Sequence, residues 1–145
     1  LFANMYMAYE TLSEGMKQML AELKVVQSSA KAGAARSRAD RLEAVSAPEP
    51  DVLEAAHPVV RIHPETGRKT LFVNYGHSVR FQGMTEEESE PILSYLFRHQ
   101  IHPEFTCRFQ WAVGSMAMWD NRCTQHNPIN DYHGFRREMH RVSIN

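Results

Sequence analysis

An α+β fold with a β-sandwich or jelly-roll core is the architecture this sequence predicts, on three observations. Two apolar runs, "PVVRIH" and "KTLFVN", flank a "PETG" turn. Further alternating runs follow at "FTCRFQWAV" and "EMHRVSI". One capped helical stretch, "TEEESEPILSYLFRH", lies between them. Strands separated by Gly/Pro turns, with few helices, pack as sheets rather than as alternating βαβ units. At 145 residues the chain is about one domain long, barely enough for two packed sheets.

The first segment, 1–27, reads as helix. Leu12, Met16, Met19, Leu20 and Leu23 recur at spacings of three and four, the stripe of an amphipathic helix. The methionines read as core packing. From 28 to 56 the chain is rich in Ala, Ser, Arg and Glu and lacks aromatics, and "SAPEP" breaks any helix. This stretch reads as a mobile insertion or lid. Residues 57–145 hold the predicted jelly-roll strands and one helix. A β-hairpin is expected from about Val59 to Val73, with Pro64 and Gly67 at its turn. "NYGHS" then forms a loop presenting His77. Thr85 and Glu88 make a capping box, and Pro91 moves the predicted start of regular helix toward Glu90. His99 suits the helix C-terminus, where the dipole favours a cation. In "FTCRFQWAV", Phe105, Cys107, Phe109 and Trp111 alternate onto one face. "EMHRVSI" alternates likewise and is expected to form the terminal strand.

Composition excludes several classes. The 16 Lys and Arg nearly cancel 17 Asp and Glu, so no nucleic-acid partner held by phosphate neutralisation is expected. No run of about 18 apolar residues is present, so no membrane span is expected. The opening "LFANMYMAYE" lacks the layout of a signal peptide. Cys107 and Cys123 form no CxxC pattern and read as reduced thiols, in keeping with a cytoplasmic location.

The chemistry concentrates in the last third. His126 follows a strand-like run and precedes the turn former Asn127–Pro128. Such a histidine can ligate a metal, act as a base or cap a turn. Arg137 and Arg141 follow it by eleven and fifteen residues. Their even separation places them on one face of a regular strand, about 13 Å apart. There they can grip carboxylates or sulfonates through paired hydrogen bonds, or they can belong to a salt-bridged sheet face.

Together, "WDNRCTQH" and "DYHGFRREMHR" resemble the distal motif of the taurine dioxygenase (TauD/TfdA) family. The resemblance continues upstream through "PEF", "HPVVRIHPETGRKTLFVN" and "LFANMYMAYETLS", sparing only the Ala/Arg-rich insertion. It implies a double-stranded β-helix (jelly roll, cupin-like) with flanking helices, and an Fe(II)/2-oxoglutarate-dependent dioxygenase. Such an enzyme oxidises a small anionic organic substrate with dioxygen and releases succinate and CO2. The resemblance makes His126 the C-terminal histidine of the iron site. Arg137 becomes the partner of the distal 2-oxoglutarate carboxylate, and Arg141 lies near both the substrate's anionic group and the cosubstrate. His77 stands where the taurine enzyme has an aromatic residue over the substrate, so a substrate other than taurine is expected. Trp119, Asp120 and Asn121 are supporting residues on this reading, and a homo-oligomer is expected.

The family's other two iron ligands come from an HxD motif upstream of the "LFANMY" equivalent. None of the eight histidines here has Asp two positions later. The threonine that usually precedes the "LFAN" equivalent and contacts 2-oxoglutarate is also missing. The chain therefore reads as the C-terminal portion of one such domain, with its N-terminal part absent and no turnover on its own. Two alternatives stay open. One is an iron-free jelly-roll module binding a small acid through Arg137 and Arg141. The second is substitute ligation by Asp131 or His133 with His126.

Overall fold

A computed structural model describes residues 1–31, 52–129 and 131–144. Strand β1 (Phe2–Asn4) leads directly into helix α1 (Met5–Glu10), and helix α2 (Glu14–Ala21) precedes strand β2 (Lys24–Ser28). Strands β3 (Glu54–Pro58), β4 (Val60–Ile62), β5 (Lys69–Leu71) and β6 (Ser78–Phe81) follow. Helix α3 (Glu86–His99), a 3-10 turn at Pro103–Phe105 and strands β7 (Thr106–Cys107) and β8 (Thr124–His126) complete the order.

Segment 1–27 corrects the all-helical expectation. Its ends are strands, because each finds a partner far along the chain. β1 lies between β7 and β8, antiparallel to both, with Phe2 opposite Cys107 on one side and His126 on the other. β2 lies between β3 and β6. The helical stripe is also divided. Asn4 caps α1, its Oδ1 accepting from the N–H groups of Tyr6 (3.0 Å) and Met7 (3.3 Å). Ser13 caps α2 anew through Met16 N–H. Side chains that accept from free N–H groups at a helix start compete with continuing one helix through the same residues. Leu12 and Leu20 are buried, whereas Met19 faces solvent.

Residues 54–56, assigned by sequence to the insertion, belong to β3 and pair with Val26, Gln27 and Ser28. The body of that stretch, 32–51, lies outside the described residues. The predicted hairpin is present, with Val60 opposite Leu71 and Ile62 opposite Lys69. Gly67 takes φ +67°, and bonds between His63 and Arg68 (2.9 Å) and from Gly67 N–H to His63 C=O (2.9 Å) close its turn.

Helix α3 starts at Glu86, earlier than Pro91 suggested. The Thr85–Glu88 capping box satisfies its first turn, and Pro91 sits on the exposed face, where water can satisfy the carbonyl it leaves unpaired. Phe81, Leu20, Leu71, Leu96, Val25, Val59 and Val73 form the centre of the core. Ser89 ties α3 to β6 by accepting from Phe81 N–H at 2.9 Å. His99 does more than meet the helix dipole: its Nε2 lies 2.8 Å from the Ala8 carbonyl and joins α3 to α1.

Two predicted strands are largely absent. In "FTCRFQWAV" only Thr106–Cys107 pair, and Phe109 and Trp111 are exposed rather than lining a buried face. The "EMHRVSI" run forms no ladder among the described residues and is exposed throughout. Alternation creates a strand only where a neighbour supplies hydrogen bonds, and here none of the described residues does.

Candidate active site

His126 closes β8, paired with β1 through Phe2. Its ring sits 5.0 Å from the Trp119 indole and 6.4 Å from Phe2, and those two rings lie 5.0 Å apart. Desolvation by this aromatic packing lowers its pKa, helped by the positive charges of Arg141 and the Leu1 amino group. A neutral imidazole is the form that ligates metals. It remains exposed on its outer side.

Arg137 and Arg141 do not share a strand face, correcting the regular-strand expectation. Both lie in the exposed, irregular segment 131–144. The Arg137 guanidinium stacks over the Tyr132 ring at 5.0 Å. Arg141 is close enough for its charge to act on His126. His77 lies elsewhere, in the turn between β5 and β6, its carbonyl accepting from Ser28 N–H at 2.9 Å. The structure thus brings Arg141 into the electrostatic field of His126. It shows no ring contact between His77 and His126 among the described residues.

Asp131 pairs with Arg108 and is not joined to His126. Two His-x-Glu sequences, His63-Pro64-Glu65 and His102-Pro103-Glu104, escape a His-x-Asp pattern. Glu104 bonds to its own His102, which holds its pKa down. His63 is different. It is 5% exposed, and its Nδ1 faces the backbone N–H groups of Glu65 (3.3 Å) and Thr66 (3.4 Å). The Glu65 carboxylate also lies 3.3 Å from Nδ1, but two backbone donors aimed at that nitrogen assign the proton to Nε2, which donates to Asp120 Oδ2 at 3.0 Å.

Asp120 is the hub of this network. Arg122 donates to it from Nε (2.9 Å to Oδ1) and from its terminal nitrogen (2.6 Å to Oδ2), and the Arg122 N–H reaches Oδ1 at 2.8 Å. These bonds, and the one from His63, hold the Asp120 pKa far below the usual carboxylate range. Arg122 also donates to Glu65 at 2.9 Å, and the two carboxylates raise its pKa. Donor atoms of His63, Asp120 and Cys123 lie within 4.8 Å of one another. A cation there would have to displace the Arg122 guanidinium from Asp120, so the cluster acts as a polar anchor. It does not include His126.

Nearby, Tyr6 donates or accepts at Thr66 Oγ1 (2.9 Å) beneath the Arg68 guanidinium, and burial raises its pKa. An open groove of about 440 Å³ runs beside β1, lined in part by Phe2, Asn4, Tyr6, Phe105, Cys107 and Cys123. None of the four sequence-derived site residues lines it.

Three small antiparallel sheets flanked by helices, with a histidine at a strand end and basic residues downstream, have the make-up of part of a cupin-like jelly roll. The family described as "Taurine catabolism dioxygenase TauD, TfdA family" matches residues 1–143, and the chain belongs to it. It is 34% identical to an alkylsulfatase of Acinetobacter baylyi, over 99% of this chain and 46% of that protein. It is 33% identical to an alpha-ketoglutarate-dependent sulfate ester dioxygenase of Pseudomonas putida, over 99% of this chain and 48% of that one. A taurine dioxygenase structure from Burkholderia xenovorans superposes with a TM-score of 0.67 at 36% identity, covering 85% of this chain and 37% of its own. The chain thus spans less than half the length of these relatives.

The donor set fits one corner of a non-haem iron site: a neutral, outward-facing imidazole at the end of a strand. A two-histidine, one-carboxylate site needs two further ligands.

Proposed function

We propose that the protein containing this chain is an Fe(II)- and 2-oxoglutarate-dependent dioxygenase acting on a small anionic organic substrate, with sulfate esters the first candidates. The observation that carries the reading is His126, held neutral at the end of β8, in a chain of this family. The relatives named as alkylsulfatase and sulfate ester dioxygenase support the substrate class. Sulfonates and aryloxyalkanoates are the next candidates.

His126 serves as one iron ligand. The other two, a histidine and a carboxylate, belong to a His-x-Asp motif that these 145 residues do not contain. Arg137 grips the far carboxylate of 2-oxoglutarate through paired, charge-assisted hydrogen bonds. Arg141 lies between cosubstrate and the substrate's anionic group, and His77 contacts the substrate. Iron, when bound, would supply the chemistry that links oxidative decarboxylation of 2-oxoglutarate to transfer of one oxygen atom of dioxygen to the substrate. The chain's residues bind and orient the two anions. A homo-oligomer in the cytoplasm completes the reading.

The test uses the full-length protein, loaded anaerobically with iron and exposed to oxygen with 2-oxoglutarate and a panel of sulfate esters, sulfonates and aryloxyalkanoates. Substrate-dependent succinate is expected, strongest with a sulfate ester. His126→Ala should abolish iron binding. Arg137→Ala should raise the 2-oxoglutarate KM by about 10- to 100-fold, the cost of a lost charged hydrogen bond. Thermal stabilisation by these acids with neither iron uptake nor succinate would replace the dioxygenase with an iron-free binding module.

A further inference from the structure

We infer that His63 is a positioning residue for His126, acting through Asp120 and the Trp119 ring. The inference rests on the dioxygenase reading above and adds to it a role for a residue in the distant β4–β5 hairpin.

Three observations converge. First, His63 is fixed before it meets Asp120. Backbone bonds of the hairpin turn hold it on both sides, and two N–H groups occupy its Nδ1. Its buried ring has one free donor, Nε2, and that donor reaches Asp120. Second, Asp120 is held at side chain and backbone alike. Its carboxylate binds His63 and Arg122, and its carbonyl accepts from Cys123 N–H at 3.3 Å, closing the turn that opens β8. Third, the neighbour of Asp120 is Trp119, whose indole packs 5.0 Å from the His126 ring. The indole N–H is tied to Asn121 Oδ1 at 2.9 Å.

The excursion from Trp119 to His126 is therefore anchored at both ends: one by the His63–Asp120 bond from the hairpin, the other by the pairing of β8 with β1. His126 itself is exposed on its outer side, and Trp119 and Phe2 are the rings packed beside it. If Asp120 is released, the indole keeps its Phe2 contact but loses the fixed backbone next to it, and its packing on the imidazole loosens. A metal site tolerates little such freedom. Residues that orient a ligand typically change metal affinity by about 10- to 100-fold when removed.

The experiment uses the full-length protein and compares wild type with His63→Phe, which keeps an aromatic ring in the pocket but has no donor. His63→Gln, which restores an N–H donor, and Asp120→Leu, which removes the acceptor at similar size, are measured alongside. Three readouts are taken: iron(II) affinity by anaerobic titration, the visible absorption of the iron–2-oxoglutarate complex, and thermal unfolding without metal. Iron affinity is expected to fall about 10-fold or more in His63→Phe and in Asp120→Leu. The double variant should lose less than the sum of the singles, because the His63–Asp120 bond is shared by both. His63→Gln is expected to recover part of the loss.

Variants that unfold at lower temperature but bind iron as wild type, with an unshifted absorption band, would make the network purely structural and overturn the inference. Should His63→Phe fail to fold, Asp120→Leu, at a partly exposed position, decides alone by the same criterion. A wild-type protein that shows no iron–2-oxoglutarate band at all removes the dioxygenase reading and the inference with it. A normal wild-type band with unchanged variants removes the inference only.

Discussion

Asp120 concentrates the electrostatics of this chain in one carboxylate, and its consequences are measurable by pH. Its native pKa is depressed, first by Arg122 and then by His63, whereas in the unfolded chain it titrates at about 3.9. A depressed native pKa adds stability that is fully present above the unfolded value. As pH falls below about 4, the unfolded chain takes a proton that the folded one still refuses, and the contribution drains away. The melting-temperature gap between wild type and Asp120→Asn should therefore be constant from about pH 8 to about pH 5 and narrow below about pH 4. A gap that stays level through the acid range would show that the charge of Asp120 is not what matters. Because Arg122 is half exposed, solvent screening keeps the gap modest. At this scale the sequence named Asp120 as a supporting residue, and the structure shows its carboxylate bound to Arg122 and His63. The sequence had no means of finding His63, whose partner is 57 positions away.

At the scale of elements, local signals were legible where both partners lie within one turn of chain. The Thr85–Glu88 capping box and the Val60–Leu71 hairpin form as expected. Thr85 Oγ1 accepts from Glu88 N–H at 3.2 Å while the Glu88 carboxylate accepts from Thr85 N–H at 2.8 Å. Replacing Thr85 with Ala should cost about 1 kcal/mol in urea unfolding of the full-length protein. A loss below about 0.3 kcal/mol would show that the acidic first turn, Glu86 to Glu88, supports the helix start without the cap. The two strands missed in segment 1–27 share one property: their partners are remote. β1 needs Thr106–Cys107 and Thr124–His126, and β2 needs 54–58 and 78–81. A three-residue strand carries too little pattern to declare itself, and tertiary pairing overrides the helical spacing around it.

At the scale of the whole molecule, the described chain is an open structure. Its sheets have two or three strands each, and Val113, Met116, Met118, Phe135, Val142 and Ile144 are exposed apolar residues. Single exposed apolar side chains are ordinary, and these lie as a series along two extended segments. His126 is joined to no second metal ligand among the described residues. The 145-residue chain, expressed alone, is therefore expected to release no succinate from 2-oxoglutarate and to develop no iron–2-oxoglutarate absorption. Turnover by that chain would require a ligand set other than the one proposed. No helix among the described residues is long and apolar enough to cross a membrane.

The sequence by itself determined the family, through the "WDNRCTQH" run and the spacing of Arg137 and Arg141. It also determined the hairpin, the capped helix and the identity of His126 as the residue to watch. These follow from contiguous chemistry: residues a few positions apart report on one turn, one strand end or one motif. Only the tertiary structure decided that the helical opening begins and ends in strands. It alone showed that the last predicted strand finds no ladder among the described residues, and that His63 reaches Asp120. Hydrogen-bond partners of a strand, and of a buried imidazole with one free donor, are chosen by packing across the fold. Such choices leave no local trace in the order of the residues.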